Sequence, residues 1–122
     1  MAYKKYRNKR VEYEGKVFDS LKEKQRYCQL QLWEKHGIIS NLRLQVSFEL
    51  IPAIYEDEVV QLKTKTKIKK RCVQRATNYI ADFVYTQDGR TIVEDTKGFR
   101  TKEYELKKKM MRAFLGIKIH EI

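Results

Sequence analysis

A chain of 122 residues with 42% hydrophobic residues has room for one domain, residues 1–122, around one modest core. No apolar run is long enough to span a bilayer, and the basic N-terminus MAYKKYRNKR lacks the apolar stretch of a secretory signal. The 27 Lys and Arg residues against 16 Asp and Glu leave a net charge of +11, which favours a polyanionic partner, nucleic acid before a membrane surface, through steering and counterion release.

Past the basic arm, VEY and KVF flank Glu14-Gly15 and predict a hairpin over Val11 to Phe18. Ser20, with Glu23 at capping-box spacing, opens a helix that Gly37 stops after His36. Leu21, Cys28 and Leu32 mark its apolar stripe, widened by Tyr27, Leu30 and Trp33. From Ile38 to Ile51 apolar and polar residues alternate, predicting a strand that the only proline, Pro52, ends. Glu56-Asp57-Glu58 reads as a short acidic bend. KTKTKIKK, Lys63 to Lys70, alternates lysine with β-formers and fits either a hairpin arm or a mobile loop.

Asn78 to Tyr85 and Thr91 to Lys97 predict two strands joined by a turn at Asp88-Gly89. A helix follows from about Thr101 to Phe114, with Leu106, Met110, Ala113 and Phe114 at core-facing spacing. Gly116 ends it, and Ile117 to Ile122 alternates as a last strand. The order is helix, three strands, helix, strand: one α/β sheet domain. Cys28 and Cys72 show no metal-binding or pairing pattern, which points to a reducing, intracellular compartment. His36 and His120 have no spaced partner.

The chemistry is concentrated in TIVEDTKG and the strand before it. Asp95 and Lys97 share one face of their strand while Glu94 points away, as a backing or surface residue. Asp82 interrupts an apolar run, and a tight hairpin brings it beside Asp95 if the register allows. Two carboxylates that close repel unless a proton or divalent cation lies between them. Taken singly, Asp95 and Lys97 are explained by a surface ion pair and Asp82 by a structural hydrogen bond; one acid on each arm of a hairpin favours a site.

Asp82 followed by Asp95-Thr96-Lys97 resembles the D…(D/E)xK signature of the restriction-endonuclease-like, or PD-(D/E)xK, nuclease superfamily. FDSLKEKQRY (Phe18–Tyr27), GIISNLRLQVSFELIP (Gly37–Pro52), YIADFVY (Tyr79–Tyr85) and VEDTKGFRTKEYELKKKMM (Val93–Met111) extend the likeness to a family of small, mostly phage-encoded proteins placed in that superfamily. Ala81 stands where the motif's proline would be, and Asp95 where glutamate is the alternative. The resemblance implies an αβββαβ core, an α+β fold with a mixed sheet flanked by helices, here with a basic insertion around 60–76. It implies Mg²⁺ or Mn²⁺ held by Asp82 and Asp95, with Lys97 orienting the attacking water. Glu23 matches the added first-helix glutamate of many members, although its position also suits a helix cap. Gln45 reaches the same site if the first strand follows some relatives.

The function implied is phosphodiester hydrolysis of DNA, branched DNA such as a Holliday junction being the expected substrate, inside the host cell of a phage. Lys63, Lys65, Lys67, Lys69, Lys70, Arg71 and Arg75 are the expected backbone contacts, extended by Arg100, Lys102, Lys107 and Lys108. Symmetric cutting of a junction requires two active sites and hence a homodimer, for which the sequence offers no unambiguous stripe. The alternative is a non-catalytic DNA- or RNA-binding module on the same fold, Tyr3, Tyr6 and Tyr13 being the stacking surface that an RNA-binding protein would use.

Overall fold

The computed structural model describes residues 9–96 and 100–122. A short hairpin, β1 (Val11–Tyr13) and β2 (Lys16–Phe18), precedes helix α1 (Leu21–Lys35). Its turn suits Glu14-Gly15, because both residues take positive φ, 51° and 75°. Ser20 caps α1 by accepting the Glu23 backbone N–H at 3.2 Å. Beyond the helix, Gly37 adopts φ 74°.

Strands β3 (Ser40–Ile51), β6 (Thr77–Gln87), β7 (Arg90–Asp95) and β8 (Ile119–Glu121) form a four-stranded sheet in the order β3-β6-β7-β8. The first three pair antiparallel and β8 joins β7 in parallel, so the sheet is mixed. Helix α2 (Lys102–Leu115) makes the crossover from β7 to β8 that a parallel neighbour requires. Thr101 caps its start and Gly116, at φ 67°, its end. The protein is thus a mixed α+β domain in which the sheet elements and helices follow one another as α1-β3-β6-β7-α2-β8. Among the described residues no helix is long and apolar enough to cross a membrane.

Between β3 and β6 the chain leaves this sheet as a second ribbon, β4 (Ile54–Gln61) and β5 (Thr66–Gln74). Glu56, Asp57 and Glu58 are therefore not a bend. They lie in β4 in register with Arg71, Lys70 and Lys69 of β5, an arrangement of opposite charges that favours a ladder over the acidic turn the sequence suggested.

Two apolar clusters sandwich the sheet. Phe18, Tyr27, Leu30, Ile39, Phe83 and Tyr85 pack together on the α1 side. Leu50, Tyr79, Ala81, Val84, Val93, Tyr104, Met111 and Ile119 pack on the α2 side. Each helix buries only part of the face its apolar periodicity predicts: Tyr27, Leu30 and Trp33 of α1 and Met110 of α2 pack against the cores, while the rest of the predicted stripe does not. On α1 the buried residues are Glu23, Tyr27 and Leu30, while Leu21 and Leu32 remain 55% and 54% exposed. On α2 they are Tyr104 and Met111, whereas Leu106 and Phe114 are 53% and 59% exposed and Ala113 is also exposed. The faces chosen are those whose polar groups find partners in the sheet: Glu23 and Arg26 on α1, Lys108 on α2. A buried polar group needs such a partner, whereas an exposed leucine costs little.

Candidate active site

The alternation of β3 is continuous in sequence, yet its two halves serve different clusters. Leu42 and Leu44 pack with the α1 cluster, Val46 and Phe48 with the α2 cluster. The changeover falls at Gln45, whose backbone is held at φ 51°. A non-glycine residue in the left-handed region inside a strand carries strain of about 1–3 kcal/mol, and such strain concentrates at functional sites.

Gln45 sits between the two strand positions that pair Leu44 with Phe83 and Val46 with Ala81, which brings it level with Asp82 of β6. Its amide Nε2 donates to Glu23 Oε1 at 3.3 Å and to Asp82 Oδ1 at 3.4 Å. The other oxygen of Asp82, Oδ2, accepts from Thr96 N at 2.9 Å and from Thr96 Oγ1 at 2.8 Å. The pairing of Phe83 with Glu94 sets Asp82 beside the end of β7, where Asp95 lies. Asp95 is fully buried, and the Tyr79 hydroxyl donates to its Oδ2. α1, β3 and β6 thus bring Glu23, Gln45 and Asp82 into contact, and β7 sets the buried Asp95 on the neighbouring strand.

Glu23 has two separate engagements, one through its backbone and one through its side chain. Its backbone N–H is the capped group, while its carboxylate, in a residue 5% exposed, turns inward to Gln45. Burial pushes that carboxyl up to about 7, and the nearby charges of Asp82, Asp19 and Asp95 push the same way, against a backbone hydrogen bond from Asp19. Burial and the Asp95 carboxylate likewise raise the Tyr79 hydroxyl, which therefore stays a proton donor. A cleft of about 320 Å³ opens beside Glu23 and Gln45, lined also by Lys16, Val17, Phe18 and Leu44. A larger cavity of about 590 Å³ runs along the outer side of α1, lined by Cys28, Leu32 and their neighbours and by none of these acids.

Among the described residues no group of three or more His, Cys, Asp or Glu side chains is drawn together closely enough to hold a metal ion. The carboxylates of Glu23, Asp82 and Asp95 nonetheless have the oxygen chemistry that suits a hard divalent cation, and they carry mutual repulsion that a cation would relieve. Lys97 lies outside the described residues, as do Tyr3 and Tyr6.

Behind the acids lies a network with no obvious mark in the sequence. Arg26 grips Glu94 with both arms, Nε to Oε1 at 2.8 Å and Nη2 to Oε2 at 2.6 Å, and Tyr85 donates to the same carboxylate. Glu94 is 1% exposed, a backing residue and not a surface one. Arg26 is one helical turn from Glu23 and Glu94 adjoins Asp95, so the clamp ties α1 to β7 directly behind the site. The only hint in the sequence was the proximity of these residues to the candidate acids.

The basic residues near α2 are largely engaged. Arg100 and Lys108 both pair with Glu121, and Lys107 pairs with Glu103 at 3.1 Å, whereas Lys102 is exposed. Lys63, Lys65, Lys67, Lys69, Lys70, Arg71 and Arg75 are all exposed on or beside the β4–β5 ribbon.

No curated protein and no solved structure matches the chain. A family profile described as "Protein of unknown function (DUF1064)" matches residues 3–122, and the chain belongs to that family.

Proposed function

We propose that this protein is a metal-dependent endonuclease that hydrolyses phosphodiester bonds in DNA, with branched DNA such as a four-way junction as its substrate class. The observation that carries the reading is the meeting of Glu23 and Asp82 on the amide of Gln45, a glutamine held in a strained backbone conformation, with Asp95 buried at the neighbouring end of β7. Carboxylates gathered at such cost serve folding poorly, since each raises the energy of the others. The α1-β3-β6-β7-α2-β8 order around a mixed sheet supports a restriction-endonuclease-like core, and the +11 charge supports a polyanionic substrate.

In this mechanism Asp82, Asp95 and Glu23 would hold Mg²⁺ or Mn²⁺. The chemistry supplied by the bound ion is Lewis-acid activation of water and stabilisation of charge at the phosphorus. Gln45 spaces Glu23 from Asp82, Thr96 aims Asp82, and Tyr79 fixes the rotation of the Asp95 carboxylate. Lys97 orients the attacking water. An intracellular location follows from the substrate, and symmetric junction cutting would need two copies of the chain.

The test is cleavage of labelled four-way junction, duplex and single-stranded DNA with Mg²⁺, Mn²⁺ or a chelator. Metal-dependent cutting with the junction preferred is expected. Binding without cutting under all metal conditions would replace the nuclease with a DNA-binding module, and activity that survives complete chelation would refute the metal mechanism.

A further inference from the structure

The β4–β5 ribbon has an uneven charge distribution that its lysine-rich sequence conceals. Register places Arg71 opposite Glu56, Lys70 opposite Asp57 and Lys69 opposite Glu58, so the stalk pairs three basic residues with three acidic ones. Toward the tip this stops. Lys67 faces Val60, and Lys63 and Lys65 lie in the turn, which closes through Leu62 N to Lys65 O at 2.9 Å and Thr66 Oγ1 to Gln61 Oε1 at 3.2 Å. No acid lies across from these three lysines. Every residue of β5 is exposed, and so is every residue of β4 except the half-buried Val60, so neither side of the ribbon is buried against the rest of the fold. Eight residues of strand extend the ribbon about 27 Å. A two-stranded ribbon is also an element that the major groove of duplex DNA admits.

We propose that the ribbon is a DNA-contacting arm whose tip, through Lys63, Lys65 and Lys67, binds the phosphates of duplex DNA, while its stalk is an electrostatically self-neutralised spacer. This rests on the nucleic-acid reading above and divides the basic segment into a binding part and a non-binding part. The tip's charges are free to release counterions from DNA. Along the stalk each of these basic residues lies across from an acidic one, so the net charge the stalk offers to DNA is close to zero and adds little to affinity.

The test compares charge-matched variants of the full chain by fluorescence anisotropy on a 30-base-pair duplex, with chelator present to prevent cutting. The tip variant K63Q/K65Q/K67Q should lose at least tenfold in affinity at 0.1 M salt, and its log–log salt slope should fall by up to about 2.7, from about 0.9 per phosphate contact. A control with the same loss of charge at exposed lysines elsewhere, K35Q/K109Q/K118Q, should lose less than threefold. The stalk variant E56Q/D57N/E58Q/K69Q/K70Q/R71Q keeps the net charge and should stay within threefold. K63R/K65R/K67R should bind as the parent does. Equal losses in the tip and control variants, or a loss confined to the stalk variant, would overturn the proposal and leave the nuclease reading standing. A tip variant that loses binding to phosphatidylserine vesicles but not to DNA would overturn it in favour of a membrane contact. If the parent binds no DNA, the nucleic-acid reading fails and this proposal with it.

Discussion

Replacing Glu23 by Gln is the most informative single change, because the site's repulsion is measurable as stability without any substrate. The Glu23 carboxyl titrates near 7 in the fold, against an ordinary value of 4.5. Between those two pH values the folded chain keeps a proton that the unfolded chain has released. Stability contributed by the protonated group is therefore complete below about 4.5 and is lost as pH rises to about 7. At about 1.4 kcal/mol per factor of ten in proton affinity, the loss at pH 8 is about 3 kcal/mol. Glutamine mimics the protonated acid, keeps an Oε1 to accept from Gln45, and leaves the Ser20 cap intact because that bond uses the backbone. The E23Q protein should match the parent within about 0.5 kcal/mol at pH 4, a surface-like perturbation. At pH 8 it should exceed the parent by 2–3 kcal/mol, about 10 °C in Tm. Thermal unfolding of both proteins in chelator between pH 4 and pH 8 gives the two curves. Millimolar Mg²⁺ should then raise the parent's Tm at pH 8 and leave E23Q nearly unmoved, since an ion that binds only the folded state stabilises it. A difference between the curves that does not change with pH, or an E23Q protein less stable than the parent at pH 8, would refute the account of the site.

Arg26→Ala leaves the buried Glu94 carboxylate without its guanidinium and should cost about 3–5 kcal/mol in urea unfolding. Adding Glu94→Gln should recover part of that cost, and no recovery would mean the clamp is only packing. Asp95→Asn, and separately Lys97→Ala, should lower metal-dependent cleavage about a hundredfold or more, equivalent to about 2.7 kcal/mol of barrier, while DNA affinity persists. Loss of affinity in step with activity would show that these residues bind and do not catalyse. Met111→Ala, at a fully buried position, should cost about 2–5 kcal/mol, whereas Leu106→Ser on the exposed side of α2 should stay within about 0.5 kcal/mol. The reverse ranking in denaturant melts would mean that α2 is rotated about its axis.

What the amino-acid sequence determined by itself is local in origin. Turn chemistry at Glu14-Gly15 and Asp88-Gly89, caps at Ser20 and Thr101, and glycine stops at Gly37 and Gly116 specify where elements begin and end, because each acts within a few residues of itself. Strand alternation marked β3 for the same reason, and an apolar run closed by the Asp88-Gly89 turn marked β6 and β7. Asp82 and Asp95 stood out as carboxylates inside apolar strands, and a short hairpin register is enough to set one beside the other.

Everything that depends on distant partners was decided only by the tertiary structure. The apolar periodicity of α1 and α2 shows that each helix has two unlike faces but not which part of the apolar one the sheet covers. Here the Glu94 clamp on Arg26 and the Glu121 pair with Lys108 turn the helices, and Leu21, Leu32, Leu106 and Phe114 are left outward. Glu56-Asp57-Glu58 lies in a strand in register with Arg71, Lys70 and Lys69, a pairing whose energy exists only when both strands are present. Gln45 is an ordinary residue in a well-alternating strand. Only the changeover between two cores puts its backbone at φ 51° and its amide between Glu23 and Asp82, because strain of that kind is imposed by packing on both sides and leaves no signature in local composition.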